Sequence, residues 1–295
     1  MKRASGVGHR ASVESPVGSS GVARVRAAFR NARDDGRAAL IPFLVAGDPS
    51  FDATVELARA AVDAGADVIE LGVPFSDPLA DGPVIQAAYT RALAAGATVR
   101  GTLQCAARVA ELGAPVVLMV ALNPVLAFGV DAFCDAAARA GVSGVLVPDL
   151  PLEDADGLRA AAVRAGLGVV FLAAPDSGAE RVRAAAAAST GFLYMVRRRG
   201  VTGAGGAPES DAAIAIARDH ADVPIALGFG IATPADAAEA ACSADGVIIG
   251  SALVDAAARA HEAGEDAAQV IRERVAAMAA AIRSVRIEQR VEVQP

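Results

Sequence analysis

Residues 39–73 read ALIPFLVAGDPSFDATVELARAAVDAGADVIELGV, and they contain one full repeat of the fold. Two aliphatic runs, 39–47 and 67–73, flank a longer Ala-rich stretch. Neither run alternates apolar with polar residues over its length, which predicts strands buried on both faces, as in a parallel sheet. Between them, Thr54–Ala64 carries apolar residues at three- and four-residue spacing, the period of an amphipathic helix. That stretch stops at Ala64-Gly65, where glycine supplies the left-handed residue that ends a helix. The unit is strand, helix, strand.

The same unit recurs down the chain. Further aliphatic runs stand at 115–122, 144–150, 168–174, 191–196, 224–230 and 246–250, which makes eight predicted strands. Predicted helices Ala132–Ala140 and Ala155–Ala165 again stop at Ala-Gly, and Pro234 stands where the first turn of a helix tolerates proline. Eight strand–helix units joined by right-handed crossovers predict an α/β fold: a single (β/α)8 TIM barrel of eight parallel strands with extra helices. The alternative is an open doubly wound sheet. It would carry about six strands and a glycine fingerprint after the first, which Ala46-Gly47-Asp48-Pro49-Ser50 does not provide. Residues 1–20 are Gly/Ser-rich and aperiodic, so they are expected to be a disordered extension. The barrel is expected over 21–290, with a short tail at 291–295.

Composition narrows the chemistry. The chain has 295 residues, 54% hydrophobic, a net charge of −7 and a mean hydropathy of +0.41. That balance argues against nucleic acid and against a basic membrane surface. The longest apolar stretch, Ala114–Val130, is broken by Asn123-Pro124 and falls short of the roughly 20 residues of a spanning helix. The N-terminus lacks the apolar segment of a secretory signal. The only lysine is Lys2, and His9, His220 and His261 are scattered. Schiff-base chemistry needs a buried lysine, a catalytic metal wants clustered ligands, and a hydrolase triad needs a histidine beside a nucleophile. None can be assembled here. Cys105, Cys134 and Cys242 sit in apolar helical stretches and are expected to be buried, reduced thiols of a cytoplasmic protein.

In such a barrel the chemistry lies at the C-terminal ends of the strands. Glu70 stands near the end of the second run, where burial would raise its pKa and suit it to proton transfer; the alternative is a glutamate facing solvent at the rim. The long loop 74–83 follows, with Asp77 before Pro78 and Asp81 before Gly82, positions that also favour plain turns. Gly228-Phe229-Gly230 and Gly250-Ser251 close the last two runs, where barrels bind phosphate on backbone N–H groups and a helix N-terminus. Tight turns use glycine there as well.

The run IELGVPFSDPLADGPVIQ (69–86) resembles the signature of the tryptophan synthase alpha chain. PFLVAGDPS (42–50), VPDLPLED (147–154), RRGVTGA (198–204), GFGI (228–231) and GSALV (250–254) support the resemblance in the same order, over about residues 22–285. It implies a lyase of tryptophan biosynthesis that splits indole-3-glycerol phosphate into indole and glyceraldehyde 3-phosphate. The indole would pass to a beta chain, expected in an alpha2beta2 complex. No cofactor is implied in this chain; pyridoxal phosphate belongs to the partner. By motif position, Glu70 corresponds to the general acid–base and Asp81 to the carboxylate on the indole N–H. Gly203, Gly228, Gly230, Gly250 and Ser251 match phosphate contacts. Phe43, Tyr194, Thr202 and Phe229 match the pocket or its lid, although core packing explains any one of these aromatics. Asp77 and Pro78 fall on the beta-chain interface, which Asn123-Pro124 and the segment to Phe128 are expected to share. Loops 74–83 and 198–208 would open and close over the site.

Two departures stand out. The family commonly has tyrosine where this chain has Ala121, so an aromatic of the pocket or interface is lost. It commonly reads Ser-Arg-Thr where this chain has Arg197-Arg198-Arg199, two extra cations that are expected to face solvent. Two rival readings differ in function: a stand-alone indole-releasing lyase, and a non-catalytic activator of a beta chain. Retention of both Glu70 and Asp81 weighs against the second.

Overall fold

The computed structural model describes residues 20–78, 81–196 and 208–285; the expected extension up to residue 19 and the tail 291–295 lie outside them. Eight parallel strands close into a barrel in sequence order: β1 (Ala39–Val45), β2 (Ile69–Gly72), β3 (Val116–Met119), β4 (Val142–Leu146), β5 (Gly168–Ala173), β6 (Leu193–Val196), β7 (Ile225–Gly228) and β8 (Gly246–Ile249). β1 pairs with both β2 and β8, so no strand edge is left open. Helices lie outside and bury the outward aliphatic residues, such as Leu40, Leu44, Ile69 and Leu71, in one continuous shell. Burial on both faces explains why the runs do not alternate.

Local signals fall where the chemistry puts them. Gly65, Gly141 and Gly166 take left-handed φ values of 108°, 76° and 73°. Thr233 caps the helix Pro234–Ser243 by accepting from the Asp236 N–H, while Asp236 accepts from the Thr233 N–H at 2.8 Å. Helix Phe51–Asp63 begins three residues before its predicted start because Ser50 accepts from the Ala53 N–H. The expected helix 132–140 is preceded by a second one: Leu122–Phe128 and Val130–Arg139 meet at Gly129.

Three expectations need correction. The fourth strand is Val142–Leu146 rather than 144–150. Pro148 has no N–H to give a ladder, and the chain turns out of the sheet before it. Cys242 is exposed, whereas Cys105 and Cys134 are buried; it follows the inward Ala240 and Ala241 onto the outer face of its helix. Ser20, placed in the extension, is the N-cap of helix Gly21–Asp34 and accepts from the Ala23 N–H.

That first helix plugs the N-terminal end of the barrel. Val25, Phe29 and Ala32 pack with the inward residues Ile41, Val117, Leu146, Phe192 and Ile248. Phe29 and Phe192 stand with ring centroids 5.5 Å apart. Arg24 donates to the carbonyl oxygens of Gly141 and Val142 at 2.9 and 3.2 Å, which ties the plug to the start of β4. Asp67, just before β2, accepts from Arg37 at 2.6 and 2.8 Å and from the Leu40 N–H at 2.8 Å. With this end closed, the opposite end carries the loops and the cleft. Among the described residues, no helix is long and apolar enough to cross a membrane.

Candidate active site

Strand alternation turns Glu70 into the barrel, in register with Phe43 on β1 and Val117 on β3. It is 1% exposed, and its Oε1 has no hydrogen-bond partner. A buried carboxylate with so little compensation resists ionisation. Burial, with repulsion from Asp81 second, pushes its pKa up to about 8.

Asp81 arrives from the loop after β2. Its backbone N–H donates to the Pro78 carbonyl at 3.1 Å, and its own carbonyl accepts from Gln86 Nε2 at 2.8 Å. Helix Pro83–Ala94 starts two residues later, with Pro83 in its first turn. Partial burial, then the nearby Asp149 charge, pushes the Asp81 pKa up to about 6. The two carboxyls are therefore held apart in acidity: at neutral pH Glu70 is an acid and Asp81 an anion.

Asp81, but not Glu70, also lines a cleft, together with Val73, Phe75, Asp77, Pro78, Tyr89, Met119, Val120, Ala121, Pro148 and Asp149. Its lining is mostly apolar with a few carboxylates, the pattern of a small-molecule site. Asp77 is exposed and accepts from Ser76 Oγ at 2.6 Å. With Pro78 it forms part of the cleft wall.

The pocket aromatics lie at the barrel mouth. Phe43 and Tyr194 are buried, and Phe229 is 45% exposed. Tyr194 and Phe229 meet edge to face, with centroids 6.1 Å apart. Phe229 has φ 72°, the only positive value on a non-glycine among the described residues, and Gly230 follows at 75°. A bulky side chain in that region carries about 1–2 kcal/mol of strain, which persists where surrounding packing holds it. Phe43 also reaches Gly250, where a Cβ would stand 3.7 Å from the Phe43 Cβ. β7 and β8 are neighbours, so Gly228, Phe229, Gly230, Gly250 and Ser251 gather on one side of the mouth. Ser251 starts helix Ser251–Glu262, whose first N–H groups point out of the helix. Thr202, Gly203, Arg197 and Arg199 lie outside the described residues.

Gly228 has a steric reason that the turn reading did not supply. A Cβ there would come 2.2 Å from the Tyr194 hydroxyl oxygen, so the glycine makes room for the ring. Gly72 does the same at the end of β2, where a Cβ would meet Phe43 at 2.6 Å and the Tyr89 hydroxyl at 2.9 Å.

Two lining residues were missed from sequence. Tyr89 is one of only two tyrosines in the chain, and both stand around the carboxyls. Burial first, then Asp81 and Glu70, raise its pKa well above the ordinary value, and Tyr194 is raised in the same way. Both phenols therefore stay protonated. Tyr89 lies at helical spacing from the buried Ile85 and Ala92, so its pattern reads as core. Asp149 accepts from the Leu122 N–H at 2.8 Å across two loops, a contact no local spacing encodes. Among the described residues, no group of three or more His, Cys, Asp or Glu could hold a metal ion.

The chain is similar to known proteins over most of its length. A family model described as tryptophan synthase alpha chain matches residues 29–283. The tryptophan synthase alpha chain of Acidithiobacillus ferrooxidans is 46% identical over 267 residues, covering 89% of this chain and 98% of that one. That of Bordetella bronchiseptica is 47% identical over 249 residues, with 82% and 87% covered. Among solved structures, a crystal structure of tryptophan synthase from M. tuberculosis aligns with a TM-score of 0.80 at 36% identity, covering 90% of this chain and all of that chain. The tryptophan synthase alpha subunit from Legionella pneumophila aligns with a TM-score of 0.80 at 36% identity, with 89% and 99% covered.

Proposed function

The chain belongs to the tryptophan synthase alpha chain family, and on that premise we propose that Glu70 and Asp81 carry out the reaction together. The reaction itself is that of the family: a lyase cleavage of indole-3-glycerol phosphate to indole and glyceraldehyde 3-phosphate.

The observation that carries the assignment is the burial of Glu70 inside the barrel, 1% exposed with its Oε1 unpartnered, near enough to Asp81 for the two charges to repel. Protonated Glu70 gives its proton to indole C3, which makes the ring a cation and weakens the bond to the glycerol carbon. The resulting carboxylate takes the proton of the hydroxyl on that carbon. The carbon–carbon bond then breaks: its electron pair restores the indole, an oxygen lone pair forms the aldehyde, and Glu70 is left protonated again. Ionised Asp81 accepts the indole N–H and stabilises the transient positive charge, which counts for most where water is excluded. The substrate's own nitrogen is the electron sink, so no lysine is required of this chain.

The backbone around Gly203, Gly228, Gly230, Gly250 and Ser251 holds the phosphate, helped by the N-terminus of helix Ser251–Glu262. Phe43, Tyr194, Thr202 and Phe229 line the pocket or its lid. Asp77 and Pro78 meet the beta chain in an alpha2beta2 complex, whose pyridoxal phosphate resides in the partner. The reaction is placed in the cytoplasm.

The test is indole release from indole-3-glycerol phosphate, with and without a beta chain, for the parent and for Glu70→Gln. The parent should be active and the variant should lose nearly all turnover with its fold retained. A variant as active as the parent overturns the role of Glu70. A parent inactive even with a beta chain favours a non-catalytic activator, and turnover indifferent to a beta chain favours a stand-alone lyase.

A further inference from the structure

Tyr89 and Ala121 line the same cleft as Asp81, one from the helix after β2 and the other from the segment after β3. They differ sharply in how much of the wall they fill. Tyr89 is 3% exposed, and its hydroxyl sits so close to Gly72 at the end of β2 that a Cβ there would stand 2.9 Å from it. Its helix buries Ile85, Ala88 and Ala92 on the same face, in one cluster with Phe43. A ring so packed is a rigid wall. Ala121 offers a methyl group and is only partly buried, beside the apolar Met119, Val120 and Pro148. The cleft is therefore walled by a packed aromatic ring at Tyr89 and by no more than a methyl group at Ala121.

We propose that Tyr89 and Ala121 together set the size specificity of the site, Tyr89 as a fixed wall and Ala121 as a recess that admits substituents on the benzene ring of the indole. This rests on cleavage taking place in this cleft. With the indole N–H at Asp81, the rest of the bicycle has to extend along the apolar lining, where Ala121 leaves space. One methylene in a hydrophobic pocket changes discrimination by roughly 10- to 200-fold, so a single side chain can decide acceptance.

The test compares kcat/KM for indole-3-glycerol phosphate and for analogues methylated on the benzene ring, in the full-length chain with a beta chain present. Release of glyceraldehyde 3-phosphate is a readout common to all substrates. Ala121→Tyr should lower the ratio of methylated to parent substrate by about 10-fold or more. Tyr89→Ala should raise it, and Tyr89→Phe, which keeps the ring, should leave it within about 2-fold. Tyr89→Leu replaces Tyr89→Ala should the latter fail to fold, and Ala121→Tyr adds volume at a partly exposed position. A residue that only supports the fold would change stability and both substrates alike. The proposal is overturned by a ratio that stays put in Ala121→Tyr and in the folded Tyr89 truncation. A chain that cleaves no unsubstituted substrate refutes the assigned reaction instead.

Discussion

Replacing Glu70 by glutamine should change how stability depends on pH, and the size of the change follows from the burial of this one group. Its pKa lies at about 8 in the folded protein against 4.5 in an unperturbed glutamate. The folded state then holds a proton that the unfolded state has released between these values. Stability from this group is highest below the unfolded pKa, falls as pH rises through the window, and levels off above the folded pKa. At about 1.4 kcal/mol per unit, the loss amounts to roughly 1 kcal/mol by pH 5 and roughly 5 kcal/mol by pH 9. Glutamine has nearly the same shape and no proton to lose. The stability of Glu70→Gln minus that of the parent should therefore grow by about 4 kcal/mol from pH 5 to pH 9. Any fixed effect of the new amide cancels in that slope. The chain contains no tryptophan, so urea unfolding is followed by far-ultraviolet circular dichroism across the pH range. Curves that run parallel, with a difference constant to about 1 kcal/mol, would refute the claim that Glu70 is held neutral by burial.

Four further outcomes are expected. The pH profile of kcat/KM for indole release should rise as Asp81 ionises near pH 6 and fall as Glu70 ionises near pH 8, so a profile flat across that range contradicts the assigned roles. Asp149→Asn removes the charge that helps to hold the Asp81 pKa up, so the acid limb of that profile should move to lower pH. Asp81→Asn should lower kcat by about 100-fold or more with the circular dichroism spectrum unchanged, as steady-state kinetics will report. Gly228→Ala drives a methyl group into Tyr194 and should destabilise by about 1–3 kcal/mol, most of it recovered in the double variant with Tyr194→Leu; chemical denaturation of the single and double variants decides this.

The barrel was legible because it depends on local rules. A strand buried on both faces must be apolar throughout, and a helix that turns back to the sheet stops on glycine, so eight runs and their Ala-Gly stops mark eight units. Glu70 was legible for the opposite reason, since a carboxylate within such a run needs a purpose. The start of β4 was hidden because Ser143 looks like a turn residue. It lies fully buried in the strand, where Gly21 of the plug helix packs against its backbone. Cys242 was misread because an Ala-rich helix gives little contrast between its inner and outer faces.

By itself, then, the order of residues determined the parallel barrel, because burial on both faces of a strand and the stop of each helix are written in spacing along one segment. Tertiary structure alone decided the rest. It closed one end with the first helix, set Tyr89 against Gly72 and Tyr194 against Gly228, and brought Asp149 close enough to raise Asp81. It also separated the acidities of Glu70 and Asp81, because desolvation and charge repulsion depend on what surrounds a group in space, and those neighbours come from distant parts of the chain.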